Sequence, residues 1–62
     1  MTAMESADWR SYRGHLIIAR KTLLGQRRYD VWEGGRLIQT CRDLVAAELH
    51  IDAALREAAR SL

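Results

Sequence analysis

Hydrophobic and polar positions change their period along this chain. "HLIIARKTLL", His15 to Leu24, is dense in aliphatic and β-branched residues and predicts a strand. Gly25 follows as a turn residue, and "RYDVWE" predicts a second strand. Beyond Gly34-Gly35, "RLIQTC" predicts a third. The double glycine suits a two-residue hairpin loop, because both central positions can take positive φ without steric cost. Trp9 to Arg13 has no clear pattern and reads as a loop or a strand lead-in. The first eight residues are small and polar and are expected to fray.

From Asp43 the period becomes helical. Leu44, Ala47, Ile51, Leu55, Ala58 and Leu62 step by three or four residues and form one apolar stripe. Asp43 is a good N-cap, its carboxylate able to accept from free first-turn amides. Thr40 with Asp43 also fits a capping box that would start the helix one turn earlier. Asp52 and Arg56 are spaced for an i,i+4 pair. The expected fold is α+β. It is a three-stranded antiparallel meander followed by one C-terminal helix packed on one sheet face, with residues 1–8 a flexible N-terminus and 9–62 a single domain.

A two-residue loop at Gly34-Gly35 dictates a register. Glu33 pairs with Arg36, Trp32 with Leu37, Val31 with Ile38, Asp30 with Gln39, and Tyr29 with Thr40. Alternation then puts Tyr29, Val31, Ile38 and Thr40 on one face, and Arg28, Asp30, Trp32, Leu37 and Gln39 on the other. The first set suits a helix-covered core. The second should stay open, where polar residues are the rule. Trp32 there is a binding or dimer surface, a cross-strand clasp over Leu37, or core in a slipped register.

Length and charge narrow the class. Sixty-two residues allow one domain, and a chain this short buries only about 60% of its unfolded surface. Self-association is an available aid to stability, so a homodimer is carried as an expectation. The lone Cys41 rules out an internal disulfide and favours a reducing, cytoplasmic compartment. No signal-peptide pattern or bilayer-length apolar run is present, and no membrane partner is expected. Residues 9–42 carry eight basic side chains against Asp30 and Glu33, while both flanks are acidic. Such asymmetry points to a polyanionic partner.

Catalytic constellations are nearly empty. Ser6, Ser11 and Ser61 lack a nucleophile-elbow setting. Cys41 at a strand end reads as a small hydrophobe. His15 opens the first strand and suits a solvated or cross-strand role, and His50 lies off the apolar stripe. Asp30 and Glu33 fall on opposite faces, a poor acid–base pair. Cys41, His15 and His50 show no metal-ligand spacing, and Gly34-Gly35 is a turn without a phosphate-binding loop. A non-enzymatic protein without metal or cofactor is expected. The arginines are the stronger signal: Arg10, Arg13, Arg20, Arg27, Arg28, Arg36 and Arg42 interleave with Trp9, Tyr12, Tyr29 and Trp32. Guanidinium forks neutralise phosphates and read guanine edges.

The stretch "RRYDVWEGGRLIQTCRDLVAAELHIDAAL" resembles the arm-type DNA-binding domain of phage and transposon tyrosine integrases. It is also similar to the related AP2-like domains. The likeness runs from Tyr12 to about Leu55 and consists of a topology and a turn. It implies three strands and a helix, with the sheet laid in the major groove and Arg20, Arg28, Trp32, Arg36 and Gln39 as contacts. Integrase arms precede core-binding and catalytic domains, whereas this chain is expected to stand alone, which would make it an accessory binder.

The expectation from sequence is therefore a small binding module that contacts nucleic acid through Arg20, Arg27, Arg28, Trp32, Arg36, Leu37 and Gln39. The alternative is a protein-interaction module or an inhibitor of phage or mobile-element origin, resembling anti-CRISPR proteins in size, with the same face or a helix back of Ala46, Leu49 and Ala53 as its docking surface.

Overall fold

Two tight reversals at one end of the sheet organise the chain. In the computed structural model, which describes residues 8–61, Gly34 and Gly35 both take positive φ, and Glu33 stands opposite Arg36. This is the two-residue loop that the double glycine predicts. The second reversal is at Arg13-Gly14, with φ of 48° and 82° and Tyr12 opposite His15. It creates a strand that sequence reading left undecided.

The order is β1 (Trp9–Tyr12), β2 (His15–Lys21), β3 (Arg27–Glu33), β4 (Arg36–Cys41) and α1 (Leu44–Arg60). The strands form one antiparallel sheet in sequence order, four-stranded rather than three. The first predicted strand ends at Lys21, and Thr22 to Gln26 form a loop. Of the expected flexible N-terminus only Asp8 is among the described residues, and its carbonyl accepts from Ala19 N at 2.6 Å. Leu62 also lies outside them.

The β3–β4 ladder begins in the expected register, with Glu33 opposite Arg36 and Trp32 opposite Leu37. It then shifts at Val31/Trp32, so that Val31 stands opposite Gln39, Asp30 opposite Thr40, and Tyr29 opposite Cys41. Ile38 is the extra residue of this bulge. An inserted residue re-aims everything after it. Ile38 and Cys41, three apart, both pack against the core. Thr40, expected in the core, instead donates to Asp30 Oδ1 at 2.9 Å on the other side. Gln39, expected beside Trp32, is exposed opposite Val31.

Asp43 caps α1, accepting from Ala46 N at 2.7 Å. The earlier capping-box start is not used. The helix buries Ala47 and Ile51 against Ile17 and Val31, with Tyr12, Tyr29, Ile38, Cys41, Leu44 and Leu55 around them. Ala58, counted in the apolar stripe, is exposed. Burial of Ile51 is the main contribution of the helix to this core, because it is among the largest fully enclosed side chains.

Polar contacts tie the helix to the first hairpin. Asp52 was expected to pair with Arg56. It instead accepts from Arg13 Nη1 at 2.7 Å and from Tyr12 Oη at 3.0 Å. Arg10 Nη1 reaches Glu48 Oε2 at 3.2 Å one turn away. The Arg13 hydrogen bond, then that of Tyr12, holds the Asp52 carboxyl below its usual range, against a smaller opposing effect of burial. The same bond raises the Tyr12 phenol.

Two outcomes follow for stability. Ile51→Ala is expected to cost about 2–5 kcal/mol in denaturant unfolding, because it opens a cavity in a core with few alternatives. A carboxyl whose folded pKa is depressed stabilises above its unfolded value and loses that contribution as pH falls through the folded value. Asp52→Asn is therefore expected to be less stable than the parent at neutral pH. The difference should begin to narrow as pH falls below about 4 and close only below the folded value of Asp52; a gap unchanged by acid would rule out the charged clamp.

Candidate partner-binding surface

One helix covers one face, and the pairing shows what occupies the other. Across the four strands one row runs Ser11, Leu16, Trp32, Leu37, and the next runs Trp9, Ile18, Asp30, Thr40. Arg20 and Arg28 stand opposite each other one row further on. Trp9, Leu16, Ile18, Trp32 and Leu37 thus share the uncovered face. Trp9 is 59% and Leu37 48% exposed, while Leu16, Ile18 and Trp32 are half-buried among their neighbours. An open depression of about 540 Å³ is lined by Trp9, Ser11, Leu16, Ile18 and Trp32, with Gly14, Gly34 and Gly35 among its other lining residues.

A polar ladder borders this apolar area. Buried Asp30 accepts from Arg20 Nε at 2.7 Å and from Thr40 Oγ1 at 2.9 Å, joining β2, β3 and β4. The hydrogen bond to Asp30 raises the Arg20 guanidinium, with the opposite charge reinforcing it. Arg20 is therefore tied to its neighbour on β3. Arg28 curls onto the adjoining loop, donating to Arg27 O at 2.9 Å and Gln26 Oε1 at 2.8 Å.

The sequence-derived contact set divides. Arg20, Arg28, Trp32 and Leu37 share the uncovered face. Arg27 pairs with Lys21 and Arg36 with Glu33, and alternation turns both pairs to the helix side. The bulge removes Gln39 from the row that it was expected to share with Asp30. Trp9, Leu16 and Ile18 were missed, because without β1 the sheet ended at β2. The signal was the Arg13-Gly14 dipeptide between Tyr12 and His15, masked because arginine rarely takes positive φ. On the helix back Leu49 and Ala53 are exposed and Ala46 is half-buried.

Of the reactive groups, His15 helps to line this depression and Cys41 lies away from it. Cys41 is half-buried beside the core, and burial pushes its thiol up. Of the two roles expected for His15, solvated or cross-strand, it is buried and stands across from Tyr12; its Nδ1 lies 3.1 Å from Arg13 O and its Nε2 3.8 Å from Glu33 Oε1. Among the described residues, no three of His, Cys, Asp and Glu converge as metal ligands would. None of their helices is long and apolar enough to cross a membrane.

Trp32 carries an unmet requirement. Its indole Nε1 is enclosed and has no acceptor among the described residues. An orphaned buried donor costs about 1–3 kcal/mol. Trp32→Phe, which deletes that donor and keeps most of the ring, is therefore expected to change unfolding free energy by less than about 1 kcal/mol. Asp30→Ala, which strands Thr40 and releases Arg20, is expected to cost more, about 1–2 kcal/mol after allowance for the exposure of Arg20. Chemical denaturation of the two variants checks the order; the reverse order would make the Trp32 indole a simple core group.

No protein-family model, curated protein or solved structure matches this chain.

Proposed function

We propose that this chain is a non-enzymatic binding module whose uncovered sheet face docks a protein partner. The observation that supports this is the composition of that face: two tryptophans and three aliphatic side chains lie together where a solvated sheet carries polar residues. Contiguous apolar surface of this kind marks interaction sites, and tryptophan delivers much binding energy per residue. Nucleic acid was the first expectation, but the two guanidiniums on this face are engaged by Asp30 and by the Gln26 loop. Their neighbours would present phosphates with aliphatic carbon. A second copy of the chain is one protein that the face can take.

Docking uses side chains that contribute little to the fold. Trp9 and Leu37 are the most exposed of the set and stand at its two edges, on β1 and β4. Half-buried Trp32 lies between them.

The test is capture from the source cell with the parent and with Trp9→Ser/Leu37→Ser, both checked for an unchanged circular dichroism melt. The expected result is a specific protein retained by the parent through high salt and reduced at least about tenfold by the double variant. Val45→Ser/Leu49→Ser, on the exposed helix back, should leave it. Sedimentation against concentration identifies the self-association case. A salt-sensitive gel shift with duplex DNA or RNA, abolished by Arg28→Ala, would transfer the face to nucleic acid instead. Equal capture by parent and double variant would remove the face from the function.

A further inference from the structure

The opposite end of the sheet from the two glycine turns holds a feature that the docking face does not use. The β2–β3 loop is built and closed: Thr22 N donates to Gln26 O at 2.8 Å, Gly25 N to Thr22 O at 2.9 Å, and Gln26 N to Thr22 Oγ1 at 3.1 Å. It holds Leu23 and Leu24 clear of the molecule, 105% and 86% exposed. Isolated surface leucines are ordinary. Two in succession at the tip of a hydrogen-bonded loop, with nothing among the described residues packed on either, gain little from folding.

The rungs behind the tip are both like-charged. Lys21 stands opposite Arg27, and Arg20 opposite Arg28. Directly opposed cations destabilise a hairpin. Alternation sends Lys21 and Arg27 to one face of the ribbon and Arg20 and Arg28 to the other, so positive charge surrounds the hairpin. Against the four cations stand Asp30, paired with Arg20, and Asp8, which shares a shallow hollow with Arg20, Lys21 and Arg27. The collar remains positive.

We propose that the Leu23-Leu24 tip and its cationic collar form a docking element for an anionic lipid surface. From the tip backward, the chemistry of the hairpin matches a bilayer read outward from its interior: apolar side chains at the acyl level, then cations at the headgroup level. The leucines lie two to three residues beyond the Lys21–Arg27 rung within a hydrogen-bonded turn, so they project past the cations by at most about 7 Å. That spans from the phosphate level to the acyl boundary where interfacial segments rest. Cations on both faces suit a headgroup layer that surrounds the inserted tip. A duplex would satisfy the collar through its phosphates but would offer the leucines polar base edges. A spanning segment is not needed, so the lack of one in the sequence does not bear on this element. Attachment by two leucines and a few cations is weak and reversible.

The experiment is vesicle co-sedimentation of the full chain. Phosphatidylserine–phosphatidylcholine vesicles are compared with phosphatidylcholine alone at low and physiological salt, with a duplex DNA gel shift in parallel. The parent is expected to partition onto the anionic vesicles only, and less at higher salt. Leu23→Ser/Leu24→Ser should lower the partition coefficient about tenfold or more with an unchanged thermal melt, since neither leucine packs on the fold. Lys21→Gln/Arg27→Gln should lower binding and flatten its salt dependence. Trp9→Ser/Leu37→Ser should bind vesicles as the parent does, which separates this element from the sheet face. The proposal is overturned by absence of pelleting, by leucine variants that pellet like the parent, or by tip variants that lose a DNA complex while vesicles go unbound.

Discussion

A single helix cannot cover two faces of a sheet, and almost every property of this protein descends from that geometric limit. Ala47 and Ile51 close over Ile17 and Val31, and these four are the buried apolar core of the described residues. Everything hydrophobic on the other face is left with its neighbours and solvent. Trp9, Leu16, Ile18, Trp32 and Leu37 could have been polar without touching that core. Their packing is with one another, on the side of the sheet away from that core.

The core is small enough that polar contacts must help to hold the layers in register. Asp52 does this at one end by gathering Arg13 and Tyr12 from the first hairpin. Asp30 does it on the other face by joining three strands through Arg20 and Thr40. Each carboxylate is shared between a cation and a hydroxyl, so its acceptor capacity is used by charge-assisted and neutral donors together. In the first case the arginine involved, Arg13, has a backbone conformation that arginine seldom adopts.

Much of this was legible from residue order. The Gly34-Gly35 turn, the pairing of Trp32 with Leu37, the helix from Asp43 and the inward stripe at Ala47 and Ile51 all follow from local chemistry. What sequence missed depended on tertiary contacts. β1 requires positive φ at Arg13, which no local pattern announces; the guanidinium of that residue is paired with Asp52, far along the chain. The bulge at Ile38 has no turn residue to announce it; it places Cys41 against the core and Thr40 where it donates to Asp30. The candidate surface was half visible for the same reason: Trp32 and Leu37 come from a local hairpin, but Trp9, Leu16 and Ile18 join them only when the first hairpin exists.

The extra residue in β4 also bears on how copies of this chain can meet. β4 is an outer strand, and an outer strand with an unbroken row of free amides and carbonyls invites another to add to it. Ile38 interrupts that row near its middle, and β1, the other border, is only four residues long. Neither margin offers a long, regular template for a further strand. The broad apolar area faces across the sheet rather than along its hydrogen-bonding direction, so contact between molecules is steered toward stacking of surfaces and away from open-ended growth of the sheet.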